Sequence, residues 1–253
     1  MTPAPSPARR RASHRTGTRV FARPRLFAAV QALACALAVA ACASMPPTHL
    51  YTLVGADPPP LRADAPRSGG PTVQLDPVKV PPQVEQPQWL VRQPDDTLVL
   101  LEQERWVTAL PDELHQALLE ILTARFGAVD ARTPGAGPAR WRIRVDLSRF
   151  ESKPGESRID GTWALVRASA RAAASAAPTA TAPAGPAGGP GGEVVARCAI
   201  AQREAAGPGM AALAEAHRRN VARLGETLGE ALLAAARGQA VDCATVSQAS
   251  PGS

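Results

Sequence analysis

The stretch Arg140-Trp141-Arg142-Ile143-Arg144-Val145-Asp146-Leu147 alternates without a break. Trp141, Ile143, Val145 and Leu147 fall on one face, and Arg140, Arg142, Arg144 and Asp146 on the other. Successive side chains of an extended chain point to opposite sides, so this is a strand with one dry and one wet face. One-sided strands belong to antiparallel sheets covered on a single side. The neighbouring sequence agrees. Ile159–Ser169 alternates around Trp163 and Leu165, and Glu193–Gln202 reads as a returning strand. Between them, Ala172–Gly192 contains only Ala, Pro, Gly, Ser and Thr. Such a segment cannot bury enough apolar area to offset its ordering entropy, so a disordered insertion is expected there.

Working outward, Pro111–Phe126 predicts a helix. Pro111, Asp112 and Glu113 suit its positive end, Leu114, Leu118, Ile121, Leu122 and Arg125 trace one face, and Gly127 supplies the stop. A second helix is predicted over Gly209–Arg237. Its stripe is Leu213, His217, Val221, Leu224, Leu228 and Leu232, and Gly225 and Gly229 permit close packing. Toward the N-terminus, Leu50–Val54 and Thr72–Val80 read as strands, the latter bending at Pro77. Gln88–Gln93 and Thr97–Leu101 read as a hairpin turning at Pro94-Asp95-Asp96. The sum is a single α+β domain: a mostly antiparallel sheet with two helices packed on one face.

The chain has 253 residues, 28 Lys+Arg, 22 Asp+Glu and a pI near 9.9. Seven arginines and no acid precede Cys42, which leaves 21 basic and 22 acidic residues after it. The basic pI therefore belongs to the leading segment, and no nucleic-acid partner is expected. A basic start, an apolar run over Leu26–Ala41 and small residues at its end describe a secretory signal. Leu37-Ala38-Val39-Ala40-Ala41-Cys42 resembles the bacterial lipobox, in which the Cys thiol takes a diacylglycerol and cleavage follows just before it. Cys35 fits less well, because Ala32 sits three residues before it. The expected organisation is a signal over 1–41, a lipidated tether over 42–49, a domain over 50–240 and a flexible tail over 241–253. Membrane attachment is expected through acyl chains on Cys42. Ala43 in place of Asp favours the outer membrane.

Catalytic and metal motifs are missing from the sequence. Asp112-Glu113-Leu114-His115 lacks the two-His spacing of a zinc protease, and neither a phosphate-cradling Gly-rich loop nor a Gly-x-Ser-x-Gly elbow occurs. No enzyme activity, cofactor or metal is expected. His49 lies on the tether, His115 reads as a solvated helix residue and His217 as core-edge. Cys198 and Cys243 either pair in the oxidising periplasm or stand as separate thiols. Arg140, Arg142 and Arg144 form either a partner or anionic-lipid surface or an ordinary solvated sheet face. Arg105 and Trp106 form either an interface anchor or, in the case of Trp106, a core plug at the helix start.

Several of these residues together carry a resemblance. Cys42 is followed by Tyr51-Thr52-Leu53, then by a strand ending Val78-Lys79-Val80-Pro81. Next come Gln88 to Arg92, then Glu104-Arg105-Trp106 and Leu110 ahead of a Leu-rich helix. This pattern resembles the auxiliary lipoproteins of ABC-type transport systems, of the paraquat-inducible protein C type. The resemblance implies a non-enzymatic periplasmic component at the outer membrane. It would cooperate with an MCE-domain protein that forms a tunnel for lipids between the membranes. A homo-oligomer matching such a tunnel is left open. The competing reading is a binding lipoprotein of another envelope machine, either a peptidoglycan-synthase activator or a secretion pilotin.

Overall fold

The computed structural model describes residues 46–169 and 192–243. The expected signal segment, Cys42, residues 172–191 of the expected insertion and residues 244–253 of the tail lie outside the described residues. Within them, the chain from Pro47 onward forms one compact unit. Its elements in order are β1 (His49–Tyr51), β2 (Thr72–Leu75), β3 (Gln88–Arg92), β4 (Leu98–Trp106), α1 (Leu110–Glu120), β5 (Val129–Asp130), β6 (Trp141–Lys153), β7 (Glu156–Ala168), β8 (Gly192–Ala205) and α2 (Met210–Ala236).

β6 is the spine of the sheet. On one side it pairs antiparallel with β7 along its whole length, and β7 pairs antiparallel with β8. Its other side is divided. β2 takes the start, with Val73 opposite Trp141 and Leu75 opposite Ile143. An isolated bridge joins Lys79 to Asp146. β3 takes the far end, with Val91 opposite Ser152. The β3–β4 hairpin and then β1 extend the sheet from there, and β5 flanks β2.

The sheet is therefore mixed, not mostly antiparallel. The pairs β1–β4, β2–β5, β2–β6 and β3–β6 all run parallel. Parallel neighbours need long crossovers, and each of these pairs is separated by a long stretch of chain. The alternation in β6 is as expected: Trp141, Ile143, Val145 and Leu147 are buried, while Arg144 and Asp146 are exposed. That pattern reports which face is dry. It carries no information about the direction of a neighbouring strand.

Two helices are present among the described residues, and both contribute to one core with the sheet. Leu110, Leu114 and Leu118 of α1 are fully buried. A single π-helical turn, Ile121–Arg125, follows α1 and carries the buried Leu122. Gly127, at φ 63°, then ends the run in the left-handed conformation. On α2 the whole expected stripe is buried. A Cβ on Gly225 would meet Ile121 Cδ1 at 2.7 Å, and one on Gly229 would meet the Phe126 ring at 2.3 Å. These two glycines let α2 lie directly against the π turn.

The domain edges differ slightly from expectation. His49 already belongs to β1, opposite Glu104, so the tether ends sooner. Gly192, expected inside the insertion, opens β8 opposite Ala168. In the tail, Val241 packs on the core.

Candidate functional site

Two of the segments that carried the resemblance, Tyr51-Thr52-Leu53 and Glu104-Arg105-Trp106, meet at one corner. β1 runs parallel to β4 with His49 opposite Glu104 and Tyr51 opposite Trp106. The phenol of Tyr51 donates to Glu104 Oε2 at 2.7 Å, and His49 Nδ1 lies 2.9 Å from Oε1. Burial and the Glu104 carboxylate push the Tyr51 hydroxyl up to about 12. Burial opposes ionisation of Glu104, but the bonds from His49 and Tyr51 prevail and hold its pKa below the usual carboxylate value.

One residue further along, the Thr52 hydroxyl and the Leu53 N–H donate to Glu113 Oε2 at 2.8 and 2.9 Å. Glu113 Oε1 accepts from the N–H and hydroxyl of Thr108 at 3.2 and 3.1 Å. Ala109, the residue flanking the start of α1, has no capping side chain. The buried Glu113 carboxylate, 2% exposed, instead holds Thr108 just ahead of the helix and ties it to the chain that follows β1.

Trp106 does not present a surface. It is 3% exposed and lies 4.2 Å, centroid to centroid, from Trp89. The partner-anchor reading of Trp106 is thus corrected to the core-plug reading, because its indole fills the space between β4 and α2. Arg105 is half-exposed and turns back to its own strand, with Nε donating to the Glu102 carbonyl at 2.8 Å.

Beneath Trp89 and Trp106 sits a sealed polar network. His217 is fully buried, not core-edge, and Phe150 stacks on its ring at 4.2 Å. Its Nε2 lies 2.8 Å from Ser152 Oγ and its Nδ1 lies 2.8 Å from Ser157 Oγ. Trp89 Nε1 donates to Ser152 Oγ at 2.7 Å, and Asn220 Nδ2 donates to Ser157 Oγ at 2.9 Å. Burial pushes the His217 pKa down to about 3, so the imidazole is neutral. A hydroxyl 2.8 Å from an imidazole is within the range of a nucleophile and its base. Here Ser152, Ser157 and His217 are at most 2% exposed, so no substrate atom reaches them. The network joins α2 to the ends of β6 and β7.

The arginine row is divided. Arg142 and Arg144 both turn to Asp76, with Nε to carboxylate distances of 3.4 and 3.2 Å. Arg140 stands exposed beyond them, where it lines a hollow with Arg237 and Trp141. His115 is partly buried, with Nε2 2.7 Å from Arg132 Nη2. Burial and the neighbouring guanidinium lower its pKa. Cys198 on β8 and Cys243 beyond α2 form a disulfide with Cα atoms 5.4 Å apart. No group of three metal-ligating side chains occurs among the described residues. A groove of about 500 Å³ runs between α1 and α2, with Ala117, Ile121 and Val221 among its lining residues.

Sequence reasoning missed Asp76, Glu104, Glu113, Ser152, Ser157 and Asn220 as the polar partners of these residues. Asn220 carried a legible signal, since it lies three positions after His217 on the same helix face. The two serines flank the Lys153–Glu156 turn, and nothing in their local sequence points to a histidine on a distant helix.

Comparison with known proteins gives three findings. The family model for the ABC-type transport auxiliary lipoprotein component matches residues 51–229. A search of curated proteins finds no match. Among solved structures, protein XCC0632 from Xanthomonas campestris, of the family DUF330, is 15% identical with a TM-score of 0.56, covering 76% of this chain and 98% of that one. A second, described only as an uncharacterized protein, is 14% identical with a TM-score of 0.52, covering 73% and 98%. At these identities the two structures show the shared fold.

Proposed function

The chain belongs to the ABC-type transport auxiliary lipoprotein family, of the paraquat-inducible protein C-like kind, and on that premise we propose that it is an outer-membrane-anchored periplasmic accessory of an MCE-type lipid transport system. It works by protein contact, with the folded domain held at the membrane by acyl chains on Cys42. The observation that carries this reading is the family match over residues 51–229, together with the lipobox-like residues ahead of Cys42. Two further features support it. The one hydroxyl–imidazole arrangement described above is sealed from solvent. No helix among the described residues is long and apolar enough to cross a membrane, which fits attachment through Cys42.

The test is made in cells that produce the full chain. Metabolic palmitate labelling is expected for the wild type and lost for Cys42→Ala. Crosslinking is expected to recover an MCE-domain protein, and membrane fractionation to place the chain in the outer membrane. Recovery of a peptidoglycan synthase or a secretin instead, with no MCE-domain protein, overturns the partner assignment.

A further inference from the structure

β4 is paired along only part of its length on its outer side. β1 covers Glu104–Trp106, and over Leu98–Gln103 no strand among the described residues lies against it. β1 cannot extend further along this edge as a donor strand, because Pro46 and Pro47 have no N–H. The hairpin fixes which groups are open. The Gln93 N–H donates to the Thr97 carbonyl at 2.8 Å, and Val99 and Leu101 lie opposite Val91 and Trp89. Alternate residues of an antiparallel pair face the partner strand, so Leu98 and Leu100 turn their N–H and C=O outward. The side chains of this segment are apolar and exposed: Leu98 50%, Val99 39% and Leu100 37%. An open backbone edge with apolar side chains on both faces is a template for an added strand.

Charge decides among the occupants. Acidic groups bracket the apolar stretch, with Asp95 and Asp96 at the turn and Glu102 beyond Leu101. Asp95 has no cationic partner among the described residues. Asp96 is 89% exposed and lies 3.9 Å from Arg92, whose Nε is committed to Glu151 at 2.9 Å. Glu102 is 60% exposed, 3.6 Å from Arg105. A second copy pairing antiparallel about Val99 would bring the acidic turn at Asp95 and Asp96 of each copy beside Glu102 of the other, and like charges brought together across a ladder oppose that pairing. An acidic turn also opposes entry of the hairpin tip into a bilayer.

We propose that the outer edge of β4 over Leu98–Glu102 takes an extended polypeptide segment of a partner protein, apolar at alternate positions and flanked by Lys or Arg at both ends. The main chain supplies the pairing, and the acidic bracket selects against acidic segments and against self-pairing. The inference does not depend on which envelope machine supplies the segment. Its test therefore fails independently of the MCE assignment.

The experiment uses the full chain in detergent and a fluorescent synthetic peptide, Lys-Lys-Thr-Val-Thr-Val-Thr-Lys-Lys, read by anisotropy. Saturable binding is expected, weaker at high salt and weaker by about tenfold for the same peptide with Glu in place of Lys. Leu100→Pro removes one outward N–H while leaving the bonds to β3, and is expected to reduce binding about tenfold with little change in melting. Should that variant misfold, the double variant Leu98→Lys and Leu100→Lys gives the same readout through charge repulsion of the peptide. Absence of saturable binding, equal binding of the Glu peptide, or unchanged binding in both variants overturns the proposal. So does concentration-dependent dimerisation of the wild type that these variants abolish, which would assign the edge to a second copy.

Discussion

The Leu53 N–H donates to Glu113 Oε2 at 2.9 Å across 60 residues of chain. Glu113 also receives Thr52 and both polar groups of Thr108, so one carboxylate satisfies four donors. Glu113→Ala leaves the Leu53 N–H and its neighbours without a partner in a buried setting. The expected loss is about 3 kcal/mol, as for a hydrogen-bonded charged group removed from its donors. Glu113→Gln, which keeps one acceptor oxygen, should fall between. Urea unfolding of the two variants checks this, and equal midpoints for wild type and Glu113→Ala would refute it.

His217 makes stability depend on pH. Its folded pKa, near 3, lies below the ordinary histidine value of 6.5. The unfolded chain therefore binds a proton that the folded imidazole refuses as pH falls below about 6.5. Stability is full above that value and declines by about 1.4 kcal/mol per pH unit until the folded pKa is reached. Lowering the pH from 7.5 to 5 should remove about 2 kcal/mol through this group. His115, also lowered, acts with the same sign. Urea midpoints at the two pH values should converge substantially in His217→Asn.

The Cys198–Cys243 bond closes a loop across a sequence separation of 45. On the chain-entropy account, opening it costs about 4 kcal/mol as an upper value. Oxidised protein is expected to migrate faster on a non-reducing gel and to melt lower after reduction. Alkylation that labels both thiols in the untreated mature protein would contradict the bond.

Gly229 offers an inverted expectation. Alanine in a helix interior usually gains about 1 kcal/mol over glycine. Here its Cβ would meet the buried Phe126 ring at 2.3 Å. Gly229→Ala should therefore destabilise, by about 1–3 kcal/mol for an overpacked core. Gly229→Ala together with Phe126→Leu should recover part of the loss, which thermal melts will show.

Trp106→Ala and Arg105→Ala should separate cleanly. The buried indole is expected to account for about 3–5 kcal/mol. The half-exposed Arg105, whose partner among the described residues is Glu102, should change stability by less than about 0.5 kcal/mol.

What could be read from the sequence was local. Trp141 to Leu147 announced its dry face through period two, and Leu213 to Leu232 announced the α2 stripe through near-four spacing. The hairpin turn at Pro94-Asp95-Asp96 was legible too, with Asp96 at φ 64°. Strand direction was not legible, because a parallel neighbour such as β2 reaches β6 only after the intervening hairpin and α1. Ser152 and Ser157 were likewise invisible as partners of His217, since only the β6–β7 turn and α2 packing together bring them to one imidazole. The likeness of Tyr51-Thr52-Leu53 and Glu104-Arg105-Trp106 to one family could be read; that the two segments are adjacent could not.

The β7–β8 ladder runs from Glu156 opposite Ala205 to Ala168 opposite Gly192, with a single one-residue shift between Leu165 and Val166. Thirteen residues of β7 and fourteen of β8 are thus aligned whatever length of chain connects their far ends. That makes the Ala168/Gly192 end a permissive graft point. A fluorescent domain, an epitope or a protease site placed between the two strands would report on the protein in living cells without asking the sheet to find a new register.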